Sequence, residues 1–293
     1  MDPEVALILL HYSSRLGRSD LIREALSNGA DINDLVDASQ KYEVMVDEDD
    51  NEDEASAKNK SSKRNEKSKA PFLDEVPEFP DGSPAKMETA LHAAVRSGAV
   101  DSVRTLLSGG AKCNIVDYDN LSAVQLAEKL KRAEIMRALV AELCQCAGMG
   151  KTERITELVE AGLDPSLMDG EETENTALHW AAAFGSYESC KTLLELGANV
   201  DARNVEGITP LIDACHNSHV KVAELLLENG ADASLKATSG PSKGSRAIDL
   251  VQNAELRKML ERSSGKKSAS GGGGSATKKK GSDKGAKGEK ADK

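Results

Sequence analysis

Apolar residues recur along the chain in triplets spaced i, i+3, i+4: Ile22, Ala25 and Leu26; Val103, Leu106 and Leu107; Ile155, Leu158 and Val159; Cys190, Leu193 and Leu194; Ala223, Leu226 and Leu227. That spacing marks one face of a helix. Each triplet lies five, eight and nine positions after a reference residue, which is Gly17, Gly98, Gly150, Gly185 or Ser218. Twelve positions after the reference stands a second glycine, at Gly29, Gly110, Gly162, Gly197 or Gly230. A glycine placed there ends a helix, because it takes the left-handed conformation without a Cβ clash. Five copies in one register predict stacked helical units.

A second, shorter helix is expected upstream of each reference. "METALHAAVRSG" (87–98), "NTALHWAAAFG" (175–185) and "GITPLIDACHNS" (207–218) align position for position, with Thr89, Thr176 and Thr209 where an N-cap is required. These segments resemble the ankyrin repeat family, whose T-P-L-H-x-A signature recurs about every 33 residues. Thr176 and Thr209 are 33 residues apart, as are Thr89 and Ser122. "TPL" is intact at Thr209–Leu211, whereas Ala90 and Ala177 stand in place of Pro. The resemblance covers roughly 1–33 and 87–262, and it implies an all-α solenoid of stacked helix–turn–helix units with hairpin tips.

Two stretches depart from the pattern. "NLSAVQLAEKLKRAEIMRALV" (120–140) and "SRAIDLVQNAELRKML" (245–260) keep the first helix and lack the glycines. In ankyrin arrays this truncated form commonly closes a block. The expected division is therefore a divergent N-terminal repeat at 1–33, an insertion at 34–86, a repeat plus truncated repeat at 87–140, a main block at 141–262, and a tail at 263–293. The first block either docks on the second or hangs from it as an appendage.

Charge separates the segments further. The insertion holds 15 Asp/Glu against 8 Lys/Arg, with "DEDDNEDE" preceding "KNKSSKRNEKSK". The tail holds 9 Lys against 3 Asp/Glu. Neither has enough apolar surface to offset its ordering entropy, so both are expected to be disordered. Net charge is −11, which argues against attraction of the whole chain to nucleic acid. Five scattered cysteines fit a reducing compartment, and no apolar run reaches the length of a membrane span.

"CAGMGKT" (146–152) ends as a phosphate-binding loop ends, yet the glycine that such a loop requires falls on Gln145. The preceding residues have helical rather than strand periodicity, and Gly150 fits the repeat's reference slot. His11, His92 and His179 occupy the signature His, and His219 the residue after the reference slot. His216 is left over, so "HNSH" is no metal pair. Cys144 and Cys146 form an isolated C-x-C, read as buried thiols. No cofactor, metal or enzymatic activity is expected.

By the resemblance, the concave surface of first helices and hairpin tips binds other proteins. Its variable slots hold Trp180 and Phe184 in one repeat, and Asp213, His216 and Asn217 in the next. The tips add Arg203, Glu206 and Tyr118. The expected function is a monomeric adaptor or regulator, in the cytoplasm alone or in cytoplasm and nucleus. The alternative is a nuclear factor whose basic tail meets nucleic acid or an acidic partner.

Overall fold

The computed structural model describes residues 3–37, 87–170, 172, 174–251 and 253–267. The disorder expected for most of 34–86 and of 263–293 falls outside these residues. Thirteen helices are seen among the described residues, in the order α1 (Pro3–Leu16), α2 (Ser19–Ser27), α3 (Ala90–Ser97), α4 (Val100–Ser108), α5 (Ala123–Lys129), α6 (Ala133–Met149), α7 (Thr152–Glu160), α8 (Ala177–Ala183), α9 (Tyr187–Glu195), α10 (Pro210–His216), α11 (Val220–Glu228), α12 (Ala247–Leu250) and α13 (Ala254–Lys267). Two short strands, β1 (Val36–Asp37) and β2 (Met87–Glu88), pair antiparallel, with Val36 opposite Glu88. They bring together the two ends of the insertion.

The starts of the inner helices follow from their first residues. Thr89 Oγ1 accepts from the His92 backbone N–H, and the His92 ring returns the contact through Nδ1 at 2.8 Å. His92 Nε2 lies 3.1 Å from the Leu121 carbonyl, in the next repeat. A carbonyl can only accept, so Nε2 carries the ring proton and Nδ1 accepts from the threonine hydroxyl. His179 repeats the arrangement with Thr176 at 2.8 Å and the Ile208 carbonyl at 3.0 Å. Burial holds both rings neutral, His179 down to about 4. Each histidine thus caps its own helix and ties it to the next unit. In the other repeats Ser122 uses Gln125 for the cap, and Thr209 relies on its hydroxyl with Pro210 at the first helical position.

The helices form two rows in each of two stacks. In the first stack α1, α3 and α5 make the inner row, and α2 packs on α4 in the outer row. In the second, α6, α8, α10 and α12 make the inner row, and α7, α9, α11 and α13 the outer. Helix α6 belongs to both, because its N-terminal half also packs against α4 as the outer helix of the first stack. Elsewhere a loop and hairpin return the chain to the start of the next inner helix; here the helix simply runs on. It is buried on two flanks, through Ile135, Ala138, Leu139, Val140, Leu143, Cys144, Cys146 and Ala147, and exposed along the stripe Arg137, Ala141, Gln145 and Met149. The division expected at Val140–Ala141 therefore falls in mid-helix, with no linker there.

Because α6 does not turn back, the tip side of the first stack meets α7 of the second. Arg154 donates to the Ala111 carbonyl at 2.8 Å and pairs with Glu157, whose carboxylate accepts from the Cys113 N–H at 2.6 Å. Ser122 Oγ donates to the Ala161 carbonyl at 2.5 Å. Gly150 stops α6 with φ 78°, the left-handed geometry that favours glycine. Residues 145–149 are helical, so "CAGMGKT" forms a helix end and turn, not a phosphate-cradling loop.

Ala141 is exposed at the centre of α6. Replacing it by proline should cost about 3 kcal/mol or more, as in any helix interior. Urea unfolding followed by circular dichroism should then resolve two transitions in place of one. A single unshifted transition would show that the stacks do not depend on an unbroken α6.

Candidate functional site

The inner row of the second stack presents equivalent positions on successive helices. Gln145, Trp180 and Asp213 share one slot; Met149, Phe184 and Asn217 share the slot one turn later; Gly148, Ala183 and His216 lie between. The Trp180 and Phe184 rings stack at 6.0 Å between centroids and 15° between planes. Trp180 is half-buried and its indole N–H donates to Asp169 Oδ2 at 2.8 Å, so part of this residue's role is to fasten its helix to its own hairpin. Asp169 is itself held in that hairpin, its N–H donating to Asn175. Phe184 is 63% exposed, the most exposed large apolar side chain among the described residues. A methyl group on Gly148 would come within 3.1 Å of its ring, so the absent side chain there lets the phenyl lie over α6.

Asp213 sits beside this pair, on α10. It is half-buried, and its carboxylate accepts no hydrogen bond from the described residues. Burial first, and then the like charge of Glu206, push its carboxyl up to about 7. The Glu206 carbonyl accepts from Thr238 and Ser239, and its carboxylate packs on Gly240, so this residue also joins two neighbouring tips. His216 and Asn217 are exposed; the Asn217 amide donates to the Asp213 carbonyl at 3.0 Å. Arg203 is exposed on the tip before α10.

Tyr118 lies elsewhere. It is on the last tip of the first stack, with the Arg96 guanidinium 4.6 Å above its ring. Arg96 also pairs with Glu88 at 2.9 Å and with Asp117, both buried. The fold thus gathers Trp180, Phe184, Asp213, His216 and Asn217 on one face, with Glu206 and Arg203 at its rim. Tyr118 belongs to a separate cluster. Sequence reasoning missed Asp169 as the indole's partner and Gly148 as the floor beneath Phe184. The signal for Asp169 was present, since Asp117 and Asn204 also open hairpins and take turn N–H groups on their side chains.

Among the described residues no cluster of His, Cys, Asp and Glu is placed to hold a metal ion, and no helix is long and apolar enough to cross a membrane. All five cysteines are free and buried, with thiols pushed up by burial, Cys190 and Cys215 to about 12.

The family described as "Ankyrin repeats (3 copies)" matches residues 143–237, and "Ankyrin repeat" matches 87–118. The chain is 32% identical over 156 residues to the B-cell lymphoma 3 protein homolog of Mus musculus, covering 53% of this chain and 31% of that protein. It is 35% identical over 186 residues to Ankyrin repeat and SOCS box protein 16 of Homo sapiens, covering 56% and 41%. With the E3 ubiquitin-protein ligase KEG of Arabidopsis thaliana it shares 28% over 192 residues, or 56% and 12%. The chain thus spans less than half the length of each of these relatives. It is an ankyrin repeat protein, built from units that generally mediate protein–protein interaction.

Asp213 supplies a test of this face. A carboxyl that holds its proton more tightly folded than unfolded favours the fold below about pH 4, and that contribution is lost as pH rises to about 7. Asp213→Asn should therefore raise the urea midpoint at pH 8, by on the order of 1 kcal/mol in stability. The gain should shrink steadily as pH falls from 7 towards 4. A gain independent of pH would mean that Asp213 is not desolvated in the fold.

Proposed function

We propose that this chain is a non-enzymatic adaptor or regulator that holds a protein partner on the face formed by α6, α8 and α10, with the tips at 166–170 and 200–208 as its rim. The observation that carries this reading is the stacked Trp180–Phe184 pair. A ring as exposed as Phe184, next to the chain's only tryptophan, is costly surface in a chain with 3% aromatics. Aromatic anchors surrounded by polar groups are the usual make-up of an interface hot spot. Gln145, Asp213, His216, Asn217, Arg203 and Glu206 supply that polar surround. The buried free thiols suit the reducing cytoplasm or nucleus.

Trp180 has a second role as the indole donor to Asp169, so a loss of binding after its removal must be separated from a loss of fold. Trp180→Phe keeps the ring face and deletes the N–H; Phe184→Ala removes the exposed ring alone. In quantitative pull-downs from the native cell type, a defined set of proteins should be retained by the wild type and by Trp180→Phe. The same set should be lost by Phe184→Ala and by the Trp180→Ala/Phe184→Ala double variant, with helical circular dichroism unchanged. Equal capture by all four would make the pair scaffold and would reject the groove as the binding surface.

A further inference from the structure

The two stacks treat one position in opposite ways. In the first, Arg96 stands two residues before Gly98, on the inner helix. Its guanidinium lies over Tyr118, pairs with Glu88 and Asp117, and approaches Asp119 at 3.7 Å. In the second stack the same position, two before Gly185, is Ala183. Of Arg96's four neighbours only Asp119 has an acidic counterpart here; Glu88, Asp117 and Tyr118 are matched by Asn175, Asn204 and Val205, and the two asparagines bond to each other at 2.9 Å. Aromatic faces are present in Trp180 and Phe184, on either side of Ala183 along α8. Acid is present in Glu206, which takes the place of Asp119 two residues after the Asp or Asn that opens the hairpin, and in Asp213 on the neighbouring helix. Helices packed like α8 and α10 stand about 8–10 Å apart, so Asp213 is one helix width from Trp180. The cation is what is missing: no Lys or Arg among the described residues forms an ion pair with Asp213 or Glu206.

A half-buried carboxylate with a second carboxylate nearby is stabilised most by a cation that brings its own donors. The adjoining aromatic faces narrow the choice. Arginine stacks flat on a ring while its fork donates to a carboxylate, and its weakly hydrated charge enters such a site at less cost than an ammonium. Resting on the groove reading above, we propose that the partner inserts an arginine side chain beside Ala183, stacked on the Trp180–Phe184 pair and paired with Asp213. The partner surface this predicts is a basic segment with one buried arginine. An acidic groove on an acidic chain would draw it in over longer range.

The test uses the full chain and a displayed library of random 12-residue peptides, followed by synthetic copies of the selected sequences. Affinity is read by anisotropy of the labelled peptide, and by emission of Trp180, the only tryptophan. One arginine position should be fixed among selected peptides. Its replacement by citrulline, neutral and of the same shape, should weaken binding at least tenfold. Asp213→Asn should weaken the arginine peptide by a similar factor and leave the citrulline peptide unchanged. Ala183→Arg, which supplies the cation from within, should abolish binding while the fold is retained.

Peptides that need Phe184 but show no arginine preference, or that bind Asp213→Asn as tightly as wild type, would overturn the arginine and leave the groove reading standing. Peptides indifferent to Phe184→Ala, or no enriched peptide at all, would reject both. A synthetic peptide of residues 268–293 that displaces the selected peptides through Asp213 would reassign the site to the chain's own lysine-rich tail, and so overturn a separate partner.

Discussion

An α-helix cannot reverse direction without ending, and α6 does not end between the two stacks. Its 17 residues carry the chain from the outer row of the first to the inner row of the second with no hairpin between. Every other inner helix after the first is entered from a tip. Two features of the molecule follow from this one omission. The inner rows do not join, so the second stack's groove begins at α6. The tips of the first stack, which would otherwise lie against another tip, meet α7 instead. There a polar joint forms from Arg154, Glu157 and the backbone at Ala111 and Cys113. Helix α6 is apolar on two flanks because it has a stack on each.

Within each stack the units are held by short polar links as much as by the leucines between rows. His92 and His179 each satisfy a threonine hydroxyl and a carbonyl 29 residues on. A buried imidazole with one nitrogen donating and the other accepting has no bond left to gain from protonation, which is why burial can hold these rings neutral. The same economy appears in the tips. Asp117, Asp169 and Asn204 use their side chains on neighbouring N–H groups, so that turns without regular sheet still leave few backbone groups unpaired.

The repeat units were legible because their signals are local. The i, i+3, i+4 triplets name the outer helices, the Thr or Ser caps name the inner ones, and the glycines name the turns. The histidines' role was legible too, since His92 and His179 sit three residues after a capping threonine. The behaviour of α6 was half legible. The loss of the glycines at 120–140 marked an irregular unit, but a missing stop signal says only that the chain does not turn there. Which row the continuing helix joins depends on the neighbours that pack on it, and those lie at distant sequence positions. Of the candidate site, the slots were legible from register, and the fold gathers Trp180, Phe184 and Asp213 on one face. The contact at Tyr118 was not legible, because an aromatic at a tip gives no sign that Arg96, 22 residues earlier, lies over its ring.

The Tyr118 cluster also shows what separates internally answered groups from unanswered ones in this molecule. Tyr118, Arg96 and their carboxylates form a closed set, with each charge answered from within the chain. Trp180 is partly closed, since its indole N–H is answered by Asp169, while its ring and that of Phe184 remain stacked at the surface. Asp213 is open, a half-buried carboxylate without a donor among the described residues. Folding alone would favour filling or repolarising such a position, and an asparagine or an arginine at a neighbouring slot would do either. Apolar surface and unanswered charge side by side are each unfavourable for the isolated chain. Both become favourable when a partner carries the complementary group, and that difference between the free and bound chain is the physical reason for proposing this face as the binding surface.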